Sequence, residues 1–364
     1  MNKYTIIAYY LPQYHPTPDN DKWWGKGFTE WTNVGKAKPL FRGHYQPHVP
    51  ADLGYYDLRL PEVRQAQVEL AKEAGITGFC YYHYWFGDGR QELELPFNEV
   101  LRTGEPDFPF CLCWANESWH SKFWNLDGTI SKTTLIEQKY GNEKEWEKHF
   151  YHLLTAFKDK RYIKIDNKPI FVIYKEEEFL AVSEFINYWN KLAINNGFNG
   201  IYFVAQKYAN LDYSMVDEVI SKGFSAINTV GLWVSLIRNK TFFNKCIDKM
   251  RRIVLGMPNV YPYARMYPSF LSEIDKMENV YPTIIPNWDH TPRSGKAGYV
   301  LTGSTPALFR DHVQKVLSIV KGKKLENQII FLKSWNEWGE GNYMEPDLKY
   351  GKGYIETLRS ELEK

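Results

Sequence analysis

Two glutamates stand three residues apart near the C-terminus, in Ser334-Trp335-Asn336-Glu337-Trp338-Gly339-Glu340-Gly341. Paired carboxylates are the groups that move protons at a glycosidic centre. The neighbouring indoles, Trp335 and Trp338, have flat apolar faces with a polar edge, a shape that suits a sugar ring. Two carboxylates held together among aromatic rings also repel and desolvate each other, which raises at least one pKa. Carboxylates perturbed in this way cluster in functional clefts. The chemistry these residues could do is acid/base catalysis on a carbohydrate, with Glu337 and Glu340 as the candidate catalytic pair.

Such a pair needs a rigid element behind it. The run Ile329–Leu332 is short, apolar and bounded by a turn, so it reads as a buried strand. Seven similar runs precede it: Thr5–Tyr10, Gly78–Tyr84, Phe110–Ala115, Pro169–Tyr174, Ile201–Ala205, Ala226–Val230 and Pro282–Pro286. Helix-compatible segments lie between several of them, at Pro61–Ala74, Asn142–Phe157, Glu176–Asn196 and Pro306–Val320. Pro61 and Pro306 suit a first helical turn, and Asn196-Gly197 suits a helix stop. Eight strand–helix repeats predict an α/β fold, a (β/α)8 TIM barrel, with residues 1–364 as one domain. The first strand runs into Leu11-Pro12-Gln13-Tyr14-His15-Pro16, without the glycine pattern of a nucleotide-binding doubly wound sheet.

Residues at the C-terminal ends of barrel strands line the site of such a fold. Here those ends pair aromatic with hydrogen-bonding groups. The candidate sugar contacts are Tyr10, His83, Trp85, Trp114, Asn116, Glu117, Tyr174, Trp288, Asp289, Trp335, Asn336 and Trp338. Three have a competing structural role: His83 as a core histidine, Glu117 as an ion-pair partner, Asp289 as a turn cap. Two long connections, 11–60 after the first strand and 232–281 after the sixth, exceed ordinary turns. The second carries Arg238, Lys240, Lys245, Lys249, Arg251 and Arg252, either a solvated face or a peripheral contact with a membrane or lipid-linked glycan.

Composition agrees with an amphipathic ligand. Aromatic residues make up 16% of the chain, with Tyr and Trp together outnumbering Phe. A net charge of +2 gives no electrostatic case for nucleic acid. Cys80, Cys111, Cys113 and Cys246 lack zinc or redox spacing and read as buried reduced thiols, with Cys111 and Cys113 expected on opposite faces of one strand. No metal, cofactor or obligate protein partner is called for. Without an apolar leader or spanning segment, a chain starting at its natural Met is expected in the cytoplasm.

The chain resembles the WbsX-type family of polysaccharide-biosynthesis proteins over nearly its whole length. The residues that carry the resemblance are Ala8–Pro16, Trp23–Val34, Gly43–Asp57, Gly78–Phe86, Trp114–Trp119 and Ser334–Gly341. That family is similar in turn to glycoside hydrolase family 99, the endo-α-mannosidase and endo-α-mannanase barrels. The resemblance implies that Glu337 acts as base on a sugar 2-hydroxyl and Glu340 as general acid, then base. The reaction would retain configuration through a 1,2-anhydro sugar on an α-linked, manno-configured glycan. The hydrolase motif commonly carries His where this chain has Gly339. The runner-up is a glycosyltransferase of O-antigen or capsule synthesis, for which Asp19-Asn20-Asp21 has the form of a metal-binding D-x-D. A non-catalytic glycan-binding protein is the third reading.

Overall fold

The computed structural model describes residues 4–124, 130–208, 210–238, 254 and 256–364. Cys246 and, of the basic stretch, Lys240, Lys245, Lys249, Arg251 and Arg252 lie outside the described residues.

Eight strands form the frame: β1 Thr5–Tyr10, β2 Gly78–Trp85, β3 Phe110–Trp114, β4 Lys168–Ile173, β5 Tyr202–Lys207, β6 Ala226–Thr229, β7 Val280–Ile284 and β8 Ile329–Leu332. Each pairs in parallel with its sequence neighbour, and β8 returns to β1, with Thr5 opposite Ile329 and Ala8 opposite Leu332. The sheet is therefore a closed barrel. All eight strands lie where the apolar runs predict them, with ends moved by a residue or two. Buried on both faces, parallel strands read as continuous apolar runs.

Helices cover the outside. Pro61–Ala74 and Pro306–Val320 begin at their prolines as expected. At the second, Thr305 Oγ1 also accepts the Leu308 N–H at 3.3 Å. Asn142 caps Glu143–Lys158 by accepting the Lys144 N–H. The expected helix from Glu176 is shorter. A 3-10 turn at Glu176–Glu178 precedes the helix Val182–Asn195, which stops where Gly197 takes φ +91°.

Side chains alternate along each strand between the barrel interior and the helices. Tyr9 lies inside: it stacks on Tyr82 and Phe331 and donates to Asn228 Oδ1 on β6 at 2.8 Å. Its neighbour Tyr10 points out and donates to Gln67 on the Pro61–Ala74 helix at 2.7 Å. Cys111 and Cys113, two residues apart, share a face rather than opposing one another, because the strand period is two. With Cys80 they are free, buried thiols.

The connection after β6 builds a second apolar cluster, which includes Leu232, Leu236, Tyr263, Met266, Phe270, Trp288 and Leu301. Asn259–Pro262 pairs with Tyr299–Thr302 beside it. This cluster backs the segment after β7 and gives that segment a fixed position over the barrel mouth.

Candidate active site

The C-terminal mouth of the barrel opens into a cavity of about 760 Å³. Glu337 and Glu340 both line it, with Glu117, Tyr174 and Trp288 among the other expected residues. The loop that carries the two glutamates is pinned to the start of the chain. Asn336 accepts the Leu11 N–H at 2.8 Å and donates to the Leu11 carbonyl at 3.0 Å. The Trp335 backbone N–H donates to the Tyr9 carbonyl at 2.8 Å, and Ser334 Oγ accepts the Glu337 N–H at 2.9 Å. Trp338 is buried, stacks on Tyr343 with ring centres 3.7 Å apart, and donates its indole N–H to Glu345. Trp335, Asn336 and Trp338 thus hold the loop and do not line the cavity.

Other expected contacts are also turned away. His83 and Trp85 point out from β2 to the helix layer. His83 Nε2 lies 2.8 Å from His149 Nε2, burial pushes its pKa down to about 3, and Trp85 stacks on the His149 ring at 4.5 Å. Trp114 packs on Phe185 and donates to the Trp85 carbonyl. Asn116 clamps the Lys175 backbone through two hydrogen bonds, at 2.7 and 2.9 Å. Tyr10 is behind β1. These five are scaffold. The competing reading of Glu117 as an ion-pair partner also holds, since it meets Lys175 at 2.7 Å while lining the cavity.

In their place the strands present the residues of the other parity. Tyr82 and Tyr84 from β2, Tyr208 after β5 and Lys333 after β8 line the cavity, and Trp119, Trp233 and Tyr299 add aromatic walls. Lys333 is buried, donates to the Tyr82 hydroxyl and lies 3.6 Å from Glu337 Oε2. Its ammonium stands over the rings of Tyr9, Tyr82, Tyr208 and Trp288 at 5.1–5.9 Å, the arrangement of a cation–π box. Trp288 has a buried indole N–H with no acceptor among the described residues.

Arg293, from the short helix Thr291–Ser294, is a further cavity residue absent from the sequence reading. Its Nη1 meets Glu340 Oε1 at 2.5 Å and Glu337 Oε1 at 3.2 Å. Its Nε and Nη2 form a two-pronged pair with Glu30, both at 3.0 Å. No motif surrounds Arg293. The available signal was stoichiometric: two carboxylates drawn into an aromatic site need a cation to offset them. Asp289 sets that loop. It is buried, accepts from His44 at 2.7 Å and Gln46 at 2.6 Å, and receives both the N–H and the hydroxyl of Thr291. Burial raises the Asp289 pKa, but these donors outweigh it and hold the carboxylate below its usual range. The turn-cap reading of Asp289 is the one the geometry supports.

The two glutamates are electrostatically split. Burial, and then the charge of Glu340, push Glu337 upward against the pull of Lys333 and Arg293. Burial also acts on Glu340, but Arg293, His290 at 3.4 Å and Lys333 overcome it and hold Glu340 below the ordinary carboxylate range. Burial and mutual repulsion thus move Glu337 up, while the neighbouring cations keep Glu340 down. Arg293 Nη1 thus touches both Oε1 atoms and holds the two carboxylates at one point of the cavity.

The D-x-D triplet has other partners. Asp19 pairs with Arg90 at 2.7 Å, and Asp21 accepts the Gly27 N–H at 2.8 Å. Among the described residues, no group of three or more His, Cys, Asp or Glu could hold a metal ion. Among them, too, no helix is long and apolar enough to cross a membrane.

A closed barrel of eight parallel strands with its cavity at the C-terminal mouth is a TIM-barrel fold, and solved structures share that fold. The chain superposes on the GH99 endo-alpha-mannosidase from Bacteroides thetaiotaomicron with TM-score 0.57 and 14% identity, covering 98% of this chain and 97% of that one. A "glycoside hydrolase-like protein" superposes with TM-score 0.59 and 15% identity, covering 99% and 94%. The chain belongs to the WbsX glycosyltransferase family, whose model matches residues 6–358. The uncharacterized protein WxcX of Xanthomonas campestris pv. campestris (strain B100) is 30% identical over 361 residues, 98% of this chain. The chain spans about half the length of that relative, 49%.

Proposed function

We propose that this chain processes an α-linked, manno-configured oligosaccharide or polysaccharide by a retaining, glycoside-hydrolase-like reaction, with Glu337 and Glu340 as its catalytic pair. The observation that carries the reading is the pair itself: two carboxylates on one guanidinium nitrogen, at the floor of a large aromatic cavity in a closed barrel. Tyr174, Trp288, Trp119 and Tyr299 would offer ring faces and hydroxyls to the glycan, and Glu117 and Lys175 its rim contacts.

In the roles that the family resemblance implies, Glu337 removes the proton from a sugar 2-hydroxyl, and that oxygen attacks the neighbouring anomeric carbon. Glu340 protonates the departing oxygen; water then attacks the anomeric carbon with Glu340 as base, the C1–O2 bond of the anhydro ring breaks, and Glu337 returns its proton to the 2-oxygen. The protein's own surroundings push the pair the other way, Glu337 up and Glu340 down. The roles therefore require the glycan to displace Arg293 from Glu340 and leave it on Glu337. Substrates that need no leaving-group proton separate the two assignments. A general-acid variant keeps turnover on a glycosyl fluoride while losing it on a glycan, whereas a base variant loses both. Glu340→Gln is expected to behave as the acid variant and Glu337→Gln as the base variant. The reverse pattern would swap the roles, and full turnover of either variant would remove the pair from the chemistry.

The second reading, a glycosyltransferase of polysaccharide synthesis, is favoured by the family to which the chain belongs. Lys333 and Arg293 beside the carboxylates would then face a phosphate-bearing leaving group. Aryl α-glycoside hydrolysis that survives a chelator supports the first reading. Nucleotide-sugar consumption without release of free sugar supports the second. Ligand binding without turnover of either substrate would leave a glycan-binding protein.

A further inference from the structure

We propose that Glu30 is a positioning residue of this site, and that Gly339 is glycine because the Glu30 carboxylate occupies the space a side chain there would need. The inference rests on the reading of Glu337 and Glu340 as the reacting pair and names what holds them. Glu30 begins the helix Glu30–Lys36, in the long connection after β1, and is 1% exposed. A Cβ added at Gly339 would lie 1.7 Å from Glu30 Oε1 and 2.5 Å from its Cδ, far inside contact distance. An imidazole at position 339, as in the hydrolase motif, and the present Glu30 carboxylate therefore exclude each other on this backbone.

The carboxylate does more than fill space. Both its oxygens engage Arg293, at 3.0 Å each, and Oε1 also accepts from Asn33 Nδ2 at 3.1 Å. A two-pronged carboxylate–guanidinium contact fixes orientation as well as position. With Nε and Nη2 committed to Glu30, Nη1 is left aimed between Glu337 and Glu340. Glu30 itself does not line the cavity, so its influence on a ligand passes through Arg293. Three regions far apart in sequence thus form one unit: a carboxylate from the β1 connection, a guanidinium from the β7 connection, and a glycine gap in the β8 loop.

The charged groups that face the pair are Arg293 and His290 from the β7 connection, Lys333 from the end of β8, and Glu30; the phenols of Tyr82, Tyr84, Tyr174, Tyr208 and Tyr299 stand around it. Arg293 holds the Glu340 carboxylate down. Its stabilising contribution is therefore full above the ordinary carboxylate pKa and is lost as pH falls from there through the depressed folded value.

Thermal unfolding of the full chain tests the unit without a substrate. Gly339→Ala is expected to lower Tm by many degrees, whereas the same change in a Glu30→Ala background costs little more than Glu30→Ala alone. Equal losses in both backgrounds would overturn the shared-space argument. Arg293→Met is expected to lower Tm more at pH 7 than at pH 4, because protonation relieves the carboxylates it strands. A loss that is the same at both pH values would reduce Arg293 to packing and overturn the positioning role. A wild-type chain inactive on every glycan probe would sink the proposed function yet leave both Tm comparisons readable. Where turnover is found, Glu30→Gln should lower kcat at nearly unchanged KM and move the acid limb of its pH profile. A lowered kcat with an unmoved profile would show that Glu30 only supports the fold.

Discussion

The loops after β8 and β7 contribute to the same cavity in opposite ways. The β8 loop sends in two carboxylates and buries its two indoles behind them. The β7 connection sends in an indole, an imidazole and a guanidinium, and keeps its carboxylate, Asp289, behind them. Each loop thus uses as internal scaffold the residue type that the other presents to the ligand. A dense motif says that a loop is chemically committed. It does not say which of its side chains face the ligand.

The sharpest way to break this comparison is at the carboxylates. Glu337→Gln and Glu340→Gln should each lower turnover on a natural glycan by ~10²–10⁴-fold, the usual range for acid/base catalysis. Binding of a neutral glycan fragment, read by calorimetry, should stay within a few-fold, because in the proposed roles the groups act on the transition state. Trp338→Phe in the same loop should instead lower Tm while leaving KM close to wild type. A KM rise in a fully folded Trp338→Phe protein would show that this indole does reach the ligand.

The same division separates two tryptophans on either side of β2. Trp85 faces the helices, 4% exposed. Trp85→Ala is expected to cost about 3–5 kcal/mol of stability, the range for a buried large-to-small change. Trp119 stands at the cavity, edge-on to Tyr84 at 5.1 Å. Trp119→Ala should cost little stability and weaken glycan binding by roughly tenfold, since one ring–ligand contact is of the order of 1 kcal/mol. Denaturant midpoints and glycan titrations on the two variants check the pair of outcomes; a common effect on both readouts would erase the distinction.

This division also explains what could be read in advance. The strands were legible because buried parallel strands are long apolar runs, and the helices because prolines and Asn196-Gly197 mark their ends. Parity was not legible. In β2, Tyr81, Tyr82, His83, Tyr84 and Trp85 are aromatic on both faces, so nothing in their types tells cavity from core. The strand-end rule found the right loops and, in β2, the wrong alternate residues. Glu30 and Arg293 lay outside reach for another reason: their meaning depends on each other and on the gap at Gly339, which only the closed barrel brings together.

A smaller effect concerns the floor beneath the β8 loop. Burial pushes Glu345 up to about 7 even though Tyr56, Gln67 and Trp338 donate to it. A carboxyl raised in the folded state stabilises fully below its unfolded pKa, and that stability is lost as pH rises through the folded value. Unfolding free energy should therefore fall between about pH 5 and pH 8, by no more than ~2–3 kcal/mol from this group. Glu345→Gln should flatten that slope. An unchanged slope in the variant would assign the pH dependence elsewhere.

The smallest effect is expected where the sequence offered a transferase signal. Asp19 is tied to Arg90, and Asp21 to the Gly27 N–H, so both side chains already serve the fold of the β1 connection. Partly exposed pairs of this kind are worth about 0–1 kcal/mol. Asp19→Asn and Asp21→Asn should each change Tm by only a degree or two and turnover by less than about twofold, in whichever assay shows activity. The pair would regain a place in the chemistry only through a specific pattern: turnover that depends on Mn²⁺ or Mg²⁺ and falls by an order of magnitude or more in both variants, with Tm unchanged. That pattern would move the reacting centre away from Glu337 and Glu340 toward the β1 connection. Its absence, alongside a large Glu340→Gln effect, would keep the chemistry at the β8 loop.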